Sequence, residues 1–217
     1  MSCKIIAFSG IDGSGKSTQI ENLRNHYGIK NTVTYHLRIG YTPLFCFFKR
    51  LLLTKQPPLG ASSRPKKAFG IRAKGEVWLI LALLDYAIFI IFYLRYIKFF
   101  KRVVILDRYL FDSLYDFNQF TKNKIYLKLM RWINLIATPV DHGFLLLITP
   151  EESLRRSILK NDPYSETFEE LEKKYAYYHA RVEGNFVFVE AKYEANQVFD
   201  DILREIESGK TPPSRGL

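Results

Sequence analysis

The chain has 217 residues, of which 47% are hydrophobic and 25% are charged, so a folded core is expected and wholesale disorder is excluded. The formal net charge of +10 suits an anionic ligand or an anionic surface. No nucleic-acid-binding module is recognisable, and we expect no nucleic-acid partner. The two cysteines, Cys3 and Cys46, lack metal-ligand or redox spacing and favour a reducing compartment. Since no signal peptide is visible, the expected location is the cytoplasm.

A glycine-rich motif near the N-terminus fits the phosphate-binding pattern G-x-x-x-x-G-K-[ST]. An apolar run over residues 4–9 precedes it as a buried parallel strand, and apolar residues at helical spacing follow it. Glycines permit the backbone path that turns successive N–H groups toward one anion, and the helix adds the positive end of its dipole. We expect Lys16 at the β- and γ-phosphates and the Ser17 hydroxyl on Mg²⁺. The predicted phosphate-binding residues are Gly10, Gly13, Ser14, Gly15, Lys16, Ser17 and Thr18.

Apolar or β-branched runs alternate with helical patterns along the chain. This alternation predicts one five-stranded parallel sheet with helices on both faces, which is a three-layer α/β fold. We expect a single domain over residues 1–207 and a flexible tail over residues 208–217, where prolines and glycines are frequent. The predicted strands lie at residues 4–9, 32–37, 102–106, 143–149 and 185–190.

Charged residues follow two of the predicted strands. Arg38 comes after the second strand, and the carboxyl ends of parallel strands line the ligand crevice in such sheets. It is either a candidate for a two-pronged contact with an anionic acceptor or an ordinary surface arginine. Asp107 and Arg108 follow the third strand. Downstream of a phosphate-binding loop, Asp107 is the expected second contributor to a Mg²⁺ site, and Arg108 can neutralise phosphate charge.

The middle of the chain contains a basic stretch and an apolar stretch. Residues 54–75 are basic and rich in Pro, Gly and Ser, which indicates a loop or insertion that is either a solvated surface or a cover for the substrate. Residues 77–94 are nearly all apolar and reach the lower limit of a membrane span. We interpret them as a long helix buried against the sheet, with peripheral membrane contact as an alternative. Residues 110–137 predict one or two helices, whose expected core residues are Leu114, Phe117, Leu127, Met130, Trp132 and Ile133.

A basic helix follows the fourth predicted strand. Pro150 and two glutamates open it, and Arg155, Arg156 and Lys160 lie along it. Residues 161–164 interrupt the pattern before another helix over residues 167–182. The cations beside this break predict a lid over residues 155–166 that closes on the transferring phosphate, and an exposed basic helix is the alternative.

Three motifs, taken in this order, resemble the thymidylate kinase family. They are the phosphate-binding loop with Asp12 at its third position, the tripeptide Asp107-Arg108-Tyr109, and the heptapeptide Pro-Glu-Glu-Ser-Leu-Arg-Arg that ends at Arg156. The resemblance covers residues 4–206. It implies the P-loop kinase fold, ATP with Mg²⁺, and transfer of the γ-phosphate to a nucleoside monophosphate, commonly by a homodimer.

The resemblance also implies roles for individual residues. Asp12 would lie by the acceptor sugar and the transferring phosphate, Arg38 and Arg108 would bind the acceptor phosphate, and Arg156 would lead into the lid. The implied catalytic residues are Lys16, Asp12, Arg108 and Arg156, the last also binding the cofactor, and the implied substrate-binding residues are Asp12, Arg38, Asp85, Arg108 and Tyr109.

The positions that read thymine in the family differ in this chain. Asp85 matches the acid of a helical pair, but Tyr86 stands where the family has Arg, and Ala82 where it has Phe. After the Asp-Arg-Tyr motif, Asp112 and the pair Asp116-Phe117 replace the family's Ser and Tyr-Gln. The best single prediction is phosphorylation of dTMP to dTDP. The alternatives are a kinase of a nucleoside or non-nucleotide acceptor, and a nucleotide-binding, membrane-peripheral module without transfer activity.

Overall fold

Five parallel strands form one sheet in the part of the chain that the structure, a computed structural model, describes, namely residues 3–39, 72–121, 123–160, 166–180 and 186–208. The strands are β1 (Lys4–Gly10), β2 (Thr32–His36), β3 (Val103–Asp107), β4 (His142–Leu147) and β5 (Phe186–Glu190). Their order in the sheet is β2-β3-β1-β4-β5, and every neighbouring pair is parallel. The predicted α/β class with a five-stranded parallel sheet is therefore confirmed.

The interior strands are continuous apolar runs because both of their faces are covered. Residues 5–8 of β1 and 104–106 of β3 are fully buried. In the edge strand β5, by contrast, Phe186 and Val189 are buried and the other residues are partly or largely exposed. The central strands could therefore be predicted as buried apolar runs, whereas the edge strand β2 was predicted from its β-branched and aromatic residues.

Helices follow the strands along the chain, and several carry clear start signals. Thr149 accepts a hydrogen bond from the Glu152 N–H at the start of one helix, and Thr167 and Glu170 form a reciprocal capping box at the start of the next. The described helices are α1 (Lys16–Tyr27), α2 (Arg72–Ile88), which continues through a π-helical segment (Phe89–Tyr93) into α3 (Leu94–Ile97), then α4 (Leu110–Phe120), α5 (Lys124–Ile136), α6 (Pro150–Leu159), α7 (Phe168–His179) and α8 (Ala195–Glu207).

The chain divides into two compact units. Unit 1 comprises Met1–His36, Ile97–Asp112 and Pro139–Leu217, and it contains the whole sheet. Unit 2 comprises Leu37–Tyr96 and Ser113–Thr138, and its described residues are mainly helical. The expectation of a single domain over residues 1–207 stays a prediction.

The long apolar helix predicted over residues 77–94 is present, but it is only partly buried. Leu79–Ile97 is, within the described residues, the one helix long and apolar enough to cross a membrane, and 44% of its most apolar window is buried. Length and composition alone are weak support for a span, because buried core helices of soluble proteins pass the same test. Leu84, Ile88 and Phe92 are exposed, so only one side of this helix is covered.

The assignment of Trp132 to the core was wrong. Residues 110–137 form two helices, α4 and α5, as one of the two predicted alternatives had it. Met130 and Ile133 of α5 are buried, but Trp132 is 67% exposed. Both faces of α5 carry apolar residues, so the apolar pattern did not reveal which face is buried. The apolar residues 41–53 and most of the predicted insertion, 54–71, lie outside the described residues, as do residues 161–165 of the predicted lid and the tail beyond Ser208.

Candidate active site

The phosphate-binding loop connects β1 to α1 in unit 1. Gly13 (φ 77°) and Gly15 (φ 86°) have left-handed backbone conformations that side chains disfavour, and Gly15 takes the N-cap position of α1. Gly10 has φ 144°, and a Cβ there would lie 2.0 Å from the Leu146 carbonyl oxygen of β4. The sequence therefore needs glycine at these positions to bring the loop to the start of the helix, where unpaired N–H groups favour an anion.

Lys16 is the first residue of α1, and its buried side chain turns back to the loop. Its Nζ donates hydrogen bonds to the carbonyl oxygens of Gly10 and Ile11, both at 2.8 Å, and to Ser14 Oγ at 3.4 Å. Burial, followed by the positive charge of Arg108, lowers the pKa of Lys16 from 10.5 to about 8, against the opposing effect of nearby carboxylates. The ammonium group is thus held in a poorly solvated position where a phosphate would be its natural counter-ion.

Arg108 follows β3, and its side chain contacts Asp12 of the phosphate-binding loop. Its φ of 71° is, among described residues other than glycine, the one positive value, which marks a backbone held by its surroundings. Its N–H donates to Phe8 O at 2.8 Å, and Nη2 donates to Asp12 Oδ1 at 2.9 Å. Burial would raise the pKa of Asp12, but Arg108, Lys174 and Lys16 outweigh it and lower that pKa to about 2. Asp12 therefore stays ionised and fixes the guanidinium.

Asp112 is a member of this cluster that the sequence reasoning noted only as a departure from the family. It is buried, and its carboxylate accepts hydrogen bonds from Ser9 Oγ at 2.5 Å and Tyr178 Oη at 2.6 Å. Arg108 Nη1 lies 3.5 Å from its Oδ1. The signal available in the sequence was the i, i+4 spacing of an arginine and an acid at a helix start. The Arg108 guanidinium thus interacts with Asp12 through Nη2 and with Asp112 through Nη1.

The two residues predicted to bind Mg²⁺ lie in unit 1. Ser17 is exposed at the first turn of α1, and Asp107 ends β3. Asp107 Oδ2 lies 2.9 Å from His36 Nδ1 of the neighbouring strand, a contact the sequence did not reveal. Burial would raise the pKa of Asp107, but the hydrogen bond with His36 and the charges of His36, Lys16 and Arg108 lower it. A hydroxyl and an ionised carboxylate are oxygen ligands of the kind Mg²⁺ prefers.

Side chains of the basic helix α6 contact backbone carbonyl oxygens of the phosphate-binding loop. Arg156 donates from Nη1 to Gly13 O at 3.1 Å and from Nη2 to Ala191 O at 3.2 Å, while its Nε donates to Glu152 at 2.7 Å. Ser153 Oγ donates to Asp12 O at 2.6 Å. Arg156, which was predicted to lead into the lid, thus holds the phosphate-binding loop by its hydrogen bond to the Gly13 carbonyl.

Four further predicted residues are placed as follows. Arg38 and Asp85 belong to unit 2, where Arg38 Nε lies 3.5 Å from Asp116 Oδ2 and Asp85 is buried in α2. Tyr109 is buried in unit 1, and its N–H donates to Asp112 Oδ2 at 3.3 Å. Thr18 is exposed beside Ser17 in α1. The structure thus brings together Lys16, Asp12, Arg108, Asp107 and Arg156 around the loop.

The parallel sheet with its glycine loop, buried lysine and Asp-Arg pair defines a P-loop α/β kinase fold. The chain matches no family model. A thymidylate kinase of Pelodictyon phaeoclathratiforme is 31% identical over 174 residues, which are 78% of this chain and 73% of that protein. The crystal structure of thymidylate kinase from Ehrlichia chaffeensis shares the fold, with a TM-score of 0.56 and 20% identity over 95% of this chain and 100% of that one. The chain belongs to the thymidylate kinase family.

Proposed function

We propose that the protein transfers the γ-phosphoryl group of ATP to a nucleoside monophosphate, with dTMP as the acceptor and dTDP as the product. The observation that carries the proposal is the cluster of Lys16, Arg108 and Asp12 at the phosphate-binding loop. Membership of the thymidylate kinase family supports the choice of acceptor. Homodimer formation, common in the family, stays a prediction.

The loop fits the phosphates of a nucleotide. An added Cβ at Gly15 would meet no atom of the described residues within 4 Å, so these residues leave space for a phosphate beside the N-terminus of α1. Lys16 and the loop N–H groups would hold the phosphate chain, and Ser17 and Asp107 would hold Mg²⁺. When bound, Mg²⁺ neutralises charge on the phosphate oxygens.

Catalysis by this chain rests on positioning and charge neutralisation. An acceptor phosphate is already a nucleophile, so the site needs no strong general base. Asp12, whose pKa is lowered to about 2, carries no proton at neutral pH and acts by orienting Arg108. Lys16 and Arg108 then present two fixed cations where negative charge develops, at no cost in reorganisation during the reaction. Arg156 keeps the loop in place through its contact with the Gly13 carbonyl.

A different acceptor is the second candidate function, and specific residues favour it. Tyr86, at the position of the family's thymine-reading arginine, is fully buried. Asp116, at the position of the family's tyrosine, pairs with Arg38. These replacements leave the ATP-binding half of the family pattern intact and alter the acceptor half. Retention of Lys16 and Arg108 argues against a module that has lost transfer activity.

The experiment that separates the two candidates is an acceptor panel. Initial rates of ADP formation from ATP and Mg²⁺ are measured with dTMP, dUMP, the other monophosphates, free nucleosides and several sugars. The Lys16→Met variant, purified identically, provides the background from contaminating kinases. We expect dTMP to give the highest rate above that background. A higher rate with a nucleoside or a sugar would establish the second candidate, and no rate with any acceptor would contradict both.

A further inference from the structure

Helix α5 has an exposed apolar ladder in addition to its buried face. Met130 and Ile133 are buried. On an adjoining side of the helix the spacing i, i+4, i+7, i+11 places four apolar side chains in one row. This ladder consists of Ile125, Leu129, Trp132 and Ile136, which are 72%, 45%, 67% and 52% exposed.

A row of cations flanks the apolar ladder. Lys124, Lys128 and Arg131 follow one another at i, i+4 and i+7, and all three are exposed. The sequence of α5, KIYLKLMRWINLI, contains no acid. The helix therefore has three sectors around its axis: a buried apolar one, an exposed apolar one that includes a tryptophan, and a cationic one.

The exposed apolar surface continues beyond α5 within unit 2. Arg95 of α3 donates a hydrogen bond from Nη2 to Ile136 O at 3.2 Å, which holds the C-terminal end of α5 beside α3. Phe92 and Tyr96, one helical turn or less from Arg95, are 64% and 57% exposed. The patch thus combines aromatic side chains, aliphatic side chains and cations on adjoining helices.

We propose that α5 is a membrane-docking helix that lies in the plane of an anionic lipid bilayer. The apolar ladder enters the boundary between headgroups and acyl chains, and the three cations contact acidic headgroups. A tryptophan at this boundary keeps its amphipathic ring at headgroup level. The inference does not depend on the proposed phosphoryl transfer, because no residue of α5 belongs to the candidate active site.

Charge complementarity favours lipid over a second copy of the chain as the occupant. A two-fold interface sets the same patch of both copies against itself. On α5 this would bring the cationic row close to its own copy, and the helix offers no acid to compensate. An anionic bilayer offers an apolar interior to the ladder and negatively charged headgroups to the cations.

The test is sedimentation of the full chain with vesicles of phosphatidylcholine alone or mixed with phosphatidylserine. The variants are Ile125→Gln with Leu129→Gln, and Lys128→Glu with Arg131→Glu. Ile29→Gln, at a 61% exposed position in unit 1, is the matched control for loss of an exposed apolar side chain. Since all the altered side chains are exposed, we expect the thermal unfolding of each variant to stay close to that of the wild type.

We expect the wild type and the control to sediment with the phosphatidylserine vesicles and to be released by salt. Each double variant should bind at least about tenfold more weakly, and Trp132 emission should shift to the blue on binding in a Trp78→Phe background. Equal binding by the double variants, or no sedimentation of the wild type, would overturn the proposal. So would a wild-type dimer that Ile125→Gln with Leu129→Gln dissociates while vesicles leave the protein in solution, because a second copy would then be the occupant.

Discussion

Replacing Lys16 by methionine tests whether this ammonium group is buried at a cost to stability. Its pKa is 10.5 in an unfolded chain and about 8 in the fold. At about 1.4 kcal/mol for each pKa unit, holding the proton in the folded state costs about 3 kcal/mol below pH 8. Between about pH 8 and pH 10 the unfolded chain binds more protons than the folded one, so the free energy of unfolding rises with pH over this window.

The measurement is urea unfolding of the wild type and of Lys16→Met at several pH values from 7 to about 10. Other titrating groups are common to both proteins and cancel in the difference. We expect the wild type to gain about 2–3 kcal/mol relative to the variant across this range. Lys30→Met, at an exposed position, is the matched control for the loss of a lysine side chain. A difference that is constant with pH would refute the reasoning that Lys16 is buried in its charged form.

Three other substitutions test the site. Gly10→Ala should destabilise the fold by about 3 kcal/mol or more, because the Cβ would clash with the Leu146 carbonyl oxygen at 2.0 Å; thermal unfolding measures this. Arg108→Ala should lower kcat/KM by about 100-fold or more without unfolding the protein, and near-normal turnover would contradict its role. Asp112→Asn should cost about 2–3 kcal/mol by removing a buried charge that pairs with Arg108, whereas Asp201→Asn at an exposed ion pair should change stability by less than about 1 kcal/mol.

The sheet and the phosphate-binding loop could be predicted because their signals are local. A central parallel strand is covered on both faces and is therefore a continuous apolar run. The loop's glycines, lysine and serine are adjacent in sequence, and each has a position fixed by the ligand chemistry. The same local signals predicted that Lys16 follows β1 and that Asp107 and Arg108 lie at the end of β3.

The hydrogen-bond partners of Asp112 could not be predicted, because they come from distant parts of the chain. Ser9 and Asp112 are 103 residues apart, and Asp112 and Tyr178 are 66 apart, yet they share one buried hydrogen-bonded cluster. No period or motif encodes such a contact. The misassignment of Trp132 had a different cause: with apolar residues on two faces of α5, composition favours burial everywhere, and only the tertiary fold decides which face is covered.

The central claim is that this chain phosphorylates dTMP with ATP. The most direct measurement is chromatographic detection of dTDP and ADP from dTMP, ATP and Mg²⁺ with the wild type and with Lys16→Met. The account predicts equal amounts of dTDP and ADP from the wild type and at least about 100-fold less from the variant, since one fixed cation at the developing charge is lost. Absence of dTDP with the folded wild type, or equal product from Lys16→Met, would contradict it.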